Sequence, residues 1–203
     1  MAAPISTRLA RGGTTATVEK RGRFGHCGAP VALFPPLDAT PEAVRAALAP
    51  LRNDFSVAVY NCQNAFAVGA IIRVAHSFLA REIVVIGEAP YYAKASMGME
   101  KYETMVTVAD EAAFMAHVGA RPLWAVEKDH ARRGLYDVGA YPKDVVLLFG
   151  SERAGLPQSL IDRADDVIGI PMYGVNHSFP VTVAAGIVMS EWARRRYVDG
   201  ATG

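Results

Sequence analysis

The sequence has little cysteine: only Cys27 and Cys62 in 203 residues. There is no CxxC pair, which excludes a disulfide framework and a thiolate metal centre and makes a reduced, cytoplasmic setting the expectation. An excess of either charge is also lacking, with 21 Lys and Arg against 20 Asp and Glu. No global positive field draws the chain onto nucleic acid, so any such contact must come from local basic clusters. No apolar run is long enough to span a membrane, and the first residues lack the apolar core of a signal peptide. There is no internal repeat. The GxGxxG dinucleotide fingerprint and the GxxxxGK[ST] phosphate loop are both missing, which argues against a dehydrogenase or a P-loop enzyme.

What is present is a chain that is 51% apolar, enough for a sizeable core in one domain with a short extension. Residues 1–54 read as a basic N-terminal arm and a short helix, and residues 55–203 as the main domain. The arm holds Arg8, Arg11, Lys20, Arg21 and Arg23 against one acid, Glu19. Glycine and threonine interrupt any periodicity, so it reads as a mobile, solvated segment. ATPEAVRAALAPL (39–51) predicts a helix with Thr40 as N-cap and Pro41 at the first helical position.

From Phe55 the pattern changes. FSVAVYN, EIVVIG, PLWAVEK, DVVLLFG and DVIGIPM read as strands. AVGAIIRVAHSFLA, DEAAFMAHVGA, PQSLIDRAD and the stretch from Ser178 to Tyr197 read as helices. The strands are short continuous apolar runs alternating with helices. The fold class is therefore α/β, a mainly parallel sheet with helices on both faces.

In such a sheet ligands lie beyond the carboxyl ends of the strands. Three of those ends are unusual: NCQNAFAVGAIIR, GSERAGLP and PMYGVNHSFP. In LLFGSERAGLP (147–157), Gly150 and Gly155 allow a sharp turn or a close backbone approach to an adenine edge or a ribose. An ordinary strand-to-helix turn with a solvated Glu152 is the plainer alternative. Arg73 interrupts the apolar run GAIIRVAHSF. Its guanidinium fits either a phosphate anchor or a partly buried ion pair. His76 and His177 are titratable candidates, each more simply read as a packed or loop residue. Cys62 reads as a small buried residue. Tyr91, Tyr92 and Lys94 form a loop suited to stacking a base and holding a phosphate, or simply a surface loop. Arg194, Arg195 and Arg196 suit the negative end of the last helix or an RNA backbone.

Taken together, NCQNAFAVGAIIRVAHSF, LLFGSERAGLP and IPMYGVNHSFPVTVAAGIVMSEW resemble motifs 1, 2 and 3 of the SpoU/TrmH-type RNA 2′-O-ribose methyltransferases of the SPOUT superfamily. KASMGMEKY (94–102) resembles their linker. The resemblance covers about residues 55–197. It implies a C-terminal deep trefoil knot, an exception to the rule against threaded chains. It implies S-adenosylmethionine as cofactor, a homodimer with the site near the interface, tRNA or rRNA as partner, and neither metal nor membrane. It assigns catalytic roles to Arg73, Glu152 and Ser178. It assigns cofactor contacts to Val126, Gly150, Ile170, Met172, Ser178 and Phe179, and RNA contacts to Arg21, Arg23, Arg73, Lys94 and Arg153. Because arginine stays protonated, Arg73 is read as anchoring phosphate and stabilising a developing alkoxide rather than as a base.

Two positions depart from the pattern: Ala67 and Pro180 stand where the family carries asparagine, and Asn64 is the nearest substitute in motif 1. Such departures leave a second reading open, an RNA- or nucleoside-binding protein on the same scaffold with weak, absent or altered methyl transfer. Pro180 suits the fold. With Ser178 as N-cap it falls in the first helical turn, where a missing N–H costs no intrahelical bond. Val181, Ala185, Val188 and Trp192 then form one apolar face.

Overall fold

A computed structural model describes residues 5–11, 14–20, 39–88 and 91–198, with side chains described for 39–88 and 91–196. Strand β1 (Ile5–Arg11) pairs antiparallel with β2 (Thr14–Lys20). The expectation of an unstructured arm is corrected for these residues. Threonine, valine and isoleucine favour extended backbone, and two glycines between the runs are a hairpin spacing. Arg8, Arg11 and Lys20 lie in these strands, whereas Arg21 and Arg23 lie outside the described residues.

Helix α1 (Pro41–Leu48) starts as expected: the Thr40 hydroxyl accepts from the Ala43 N–H at 3.2 Å, and Pro41 opens the helix. Val44, Ala47, Leu48 and Leu51 form a small buried cluster on its inner side.

The main sheet follows with β3 (Phe55–Tyr60), α2 (Ala65–Ser77), β4 (Ile83–Ile86), the single-turn α3 (Ala93–Ser96), β5 (Met105–Val108), α4 (Glu111–Val118) and β6 (Leu123–Val126). It is completed by the two-residue β7 (Arg133–Gly134), β8 (Val145–Phe149), α5 (Gln158–Arg163), β9 (Asp166–Gly169) and α6 (Val181–Val198). The seven strands lie in the order β5-β4-β3-β8-β6-β9-β7, and every pair is parallel. Strands β3, β4, β8 and β9 are buried along nearly their whole length, as continuous apolar runs covered on both faces should be. Alternate residues separate the two faces. Val57, Val59, Leu147 and Phe149 pack against α2 and α6, while Ala58, Val146 and Leu148 pack against α4 and α5.

Two strands escape the sequence pattern. β5 is a half-buried edge strand and β7 is too short to give a period. The start of α6 is also corrected. The helix begins at Val181, and the Pro180 carbonyl accepts from the Ala184 N–H at 3.0 Å. Pro180 therefore occupies the cap position itself, where no N–H is needed, and Ser178 lies outside the helix. The expected face holds: Val181, Ala185, Val188 and Trp192 are all buried.

Candidate active site

Strands β8, β6 and β9 are neighbours, so the loops leaving their carboxyl ends converge. Between them lies a cleft of about 380 Å³. Val126, Gly150, Ile170, Met172, Ser178 and Phe179 all line it, together with Glu152, Arg153 and His177. One wall is apolar, made by Phe149, Leu156, Ile170, Met172, Val181 and Ala184. The polar part of the lining includes Glu127, Lys128, Asp129 and His130 from the end of β6.

The turn after β8 is built for close packing. A Cβ on Gly150 would sit 2.4 Å from the Gly155 carbonyl carbon, and Gly155 has a φ of +63°. Neither position tolerates a side chain without local rearrangement. Ser151 and Gly155 exchange backbone hydrogen bonds at 3.1 and 3.0 Å, and the Ser151 hydroxyl accepts from the Ala154 N–H at 3.1 Å. This closed turn holds Glu152 at its exposed tip. There Asn64 reaches it: the Asn64 carboxamide N–H donates to Glu152 Oε2 at 3.2 Å. The Asn64 Oδ1 meanwhile caps α2, accepting from the N–H groups of Phe66 and Ala67 at 3.1 and 3.2 Å. One side chain thus joins the head of α2 to the turn after β8.

Arg73 is not among the cleft-lining residues. It stands exposed on α2, and its guanidinium has no hydrogen bond or ion pair among the described residues. The buried-ion-pair alternative is thereby removed. Lys94 is exposed in α3, away from the cleft lining. Ser178 is exposed where it lines the cleft, and its hydroxyl caps no helix among the described residues.

His76 is committed elsewhere, its Nδ1 lying 2.6 Å from the buried Glu103 carboxylate. Arg194 and Arg195 pair with Glu191 at 2.7 and 2.9 Å, and Arg196 pairs with Asp54 at 2.6 Å. The two Glu191 pairs lie within α6, whereas Arg195, donating to the Tyr136 carbonyl at 3.0 Å, and Arg196, through Asp54, tie the helix to its surroundings. The Arg194 hydrogen bond, with help from Arg195, holds the Glu191 carboxyl below its ordinary range against the opposing effect of burial. Cys62 is buried, and burial pushes its thiol up, away from the reactive thiolate.

Residues 127–130 carry no local mark in the sequence. The strand-end rule that pointed to the other loops applies equally to VEKDH, but no glycine or proline marks it. The Glu127 carboxylate accepts from the N–H groups of Lys128 and Asp129, at 2.8 and 3.3 Å, and its other oxygen lies against Gly155.

A parallel α/β sheet with a ligand-sized cleft at adjoining strand ends, closed by a glycine turn, is the arrangement of a nucleotide- or cofactor-binding α/β protein. The profile of the SpoU rRNA Methylase family matches residues 54–190. The chain belongs to that family. It is similar to the 23S rRNA (guanosine-2′-O-)-methyltransferase RlmB of Ralstonia nicotianae, 28% identical over 137 residues that cover 64% of this chain and 55% of that protein. A 60-residue stretch is 42% identical to the tRNA (guanosine(18)-2′-O)-methyltransferase of Aquifex aeolicus, covering 30% of this chain and 28% of that one. Among solved structures, the SpoU methyltransferase AviRb from Streptomyces viridochromogenes, in complex with the cofactor AdoMet, aligns with a TM-score of 0.67 at 25% identity. That alignment covers 74% of this chain and 61% of the AviRb chain. The chain spans about half the length of the curated relatives it matches. Among the described residues no helix is long and apolar enough to cross a membrane.

Proposed function

We propose that this protein is an S-adenosylmethionine-dependent RNA methyltransferase acting on a ribose 2′-hydroxyl of tRNA or rRNA. The observation that carries the reading is the convergence of all six residues assigned to the cofactor on one cleft. The cleft suits that cofactor chemically. Its apolar wall accepts an adenine ring, Glu127 and Asp129 supply acceptors for ribose hydroxyls, and the acids at the rim favour a cationic sulfonium. When bound, the cofactor would supply an electrophilic methyl group. The chain's own part is to position the acceptor, exclude water and handle charge. Arg73, unpaired among the described residues, is available to take a phosphate of the RNA. Glu152, held by Asn64, orders the turn beside the cofactor. Arg153, Lys94 and the basic residues Arg21 and Arg23 would extend the RNA contact. The reading includes a trefoil knot formed by the segment between β9 and α6, and a homodimer with the site near its interface.

A second reading is favoured by one observation. Ala67 is only 3% exposed and Pro180 fills the cap position, so neither offers the carboxamide that the family pattern carries there. An RNA- or nucleoside-binding protein with little or no transfer would result. Titration calorimetry with S-adenosylmethionine, S-adenosylhomocysteine and adenosine, followed by methyl transfer to tRNA and rRNA fractions, separates the readings. Binding of the methionine-bearing ligands with 2′-O-methylribose as product supports the enzyme. Binding of adenosine alone, or of RNA without transfer, supports the second reading.

A further inference from the structure

Phe66 is 62% exposed although it stands in a helix that buries Val68, Ile71 and Ile72. Its ring packs on Tyr92, itself 37% exposed, with centroids 4.5 Å apart at 43°. The pair is rigidly mounted. The Tyr92 N–H donates to the Ala65 carbonyl at 2.9 Å, and the backbone at Tyr92 lies so close to α2 that a Cβ on Gly69 would be 2.6 Å from the Tyr92 carbonyl oxygen. The pair is also beside the cleft. Asn64 caps the Phe66 N–H with one atom and holds the cleft residue Glu152 with the other.

Arg73 follows Phe66 by seven residues, so it lies on the same face, about 10 Å further along the helix. Between them on that face lie Gly69, covered by the Tyr92 backbone, and the half-buried Ala70, and α2 contains no carboxylate at all. Lys94 is exposed two residues beyond Tyr92. An exposed aromatic platform beside unpaired cations is the composition that binds single-stranded nucleic acid: flat rings stack on bases and the cations track the backbone. In a duplex the base faces are already stacked and cannot reach the rings.

We infer that Phe66 and Tyr92 form a stacking site for one unpaired base of the RNA substrate, next to the nucleotide whose ribose enters the cleft, with Arg73 on the adjoining phosphate. The inference rests on the RNA reading above. It predicts that the substrate is taken in a loop or bulge, not in a helix.

The test compares the wild-type protein, Phe66→Ala, Phe66→Trp and Arg73→Ala. The probes are a short single-stranded oligouridylate and an RNA duplex, read by fluorescence anisotropy over a range of salt. Cofactor titration and sedimentation accompany each variant. Phe66→Ala should weaken single-strand binding about tenfold and leave duplex binding, the salt slope, cofactor affinity and oligomeric state unchanged. Phe66→Trp should restore it. Arg73→Ala should instead lower the salt slope by about one. Equal single-strand affinity for the wild type and Phe66→Ala would overturn the stacking site while leaving the RNA reading intact. So would a fall of Phe66→Ala to a smaller species, because the patch would then be a contact between copies of the chain. Failure of the wild type to bind either RNA would overturn both.

Discussion

At the edge of the sheet where β3, β4, β5 and β6 begin, acids and bases are buried together; at the opposite edge, where β6, β8 and β9 end, charged side chains stand in solvent. Glu103, with no side-chain exposure, is gripped by Arg52 and by His76 at 2.6 Å, and Arg52 also donates to the carbonyls of Ala80 and Tyr102. Glu82 is held by Arg121 at 2.6 Å and by His117 at 3.0 Å, with Ser56 completing the group. At the other edge Lys128, Asp129, His130, Glu152, Arg153 and His177 are all exposed, and Arg153 has no partner among the described residues. A buried charge is costly to desolvate and persists only where partners offset that cost. Charges left open around a cleft are suited to a ligand instead.

The sharpest way to break this contrast is to remove a partner at the buried edge. Arg52→Leu strands the Glu103 carboxylate with only His76, and should destabilise the fold by about 3–5 kcal/mol in denaturant unfolding. Below its lowered melting temperature the variant should bind cofactor as the wild type does. Weakened cofactor binding at full folding would show that the two edges are coupled.

The second buried group adds a pH signature. Burial pushes the Glu82 carboxyl up, but the hydrogen bonds and charges of Arg121 and His117 outweigh it and hold it below its ordinary range. A carboxylate depressed in the folded state contributes stability above its unfolded value, about 4.3, and loses it as pH falls through the folded value. Glu82→Gln should therefore be less stable than the wild type at pH 7, and the gap should close on acidification below about pH 4. A gap that stays constant with pH would mean that the charge on Glu82 contributes nothing beyond its shape.

These two edges were unequally legible in the sequence. The strands that are buried on both faces appear as unbroken apolar runs, so β3, β4, β6, β8 and β9 could be read directly. The edge strand β5 and the hairpin β1–β2 could not, because half-buried or threonine-rich runs look like loop. Glycine turns and a proline marked two of the three cleft loops. The third, after β6, has neither, and Glu127 to His130 were missed. The ion groups at the buried edge were invisible because their members come from residues far apart in the chain, such as Arg52 with Glu103 and Ser56 with Arg121. Whether Arg73 is buried or free was equally unreadable, since its helix register relative to the core decides it.

At the open edge the expected effects are smaller in stability and larger in binding. Arg153→Ala should change stability by no more than about 0.5 kcal/mol, because the exposed side chain has no hydrogen-bond or ion-pair partner among the described residues. On the reading proposed above it should weaken RNA binding and lower the salt slope by about one, with cofactor affinity retained. An unchanged slope would remove Arg153 from the RNA contact.

Asn64 gives the finest test, since it serves both the fold and the open edge. Its carboxamide caps α2 with the oxygen and holds Glu152 with the nitrogen. Asn64→Ala removes both functions and should cost about 1 kcal/mol of stability through the lost cap. Asn64→Asp keeps a good cap and replaces the donor by a second carboxylate facing Glu152. Aspartate should therefore preserve stability while displacing Glu152 and, on the function proposed above, lowering methyl transfer. If both variants lose transfer and only alanine loses stability, Asn64 positions Glu152 and partly stands in for the carboxamide absent at Ala67. Full activity in the aspartate variant would reduce Asn64 to a helix cap.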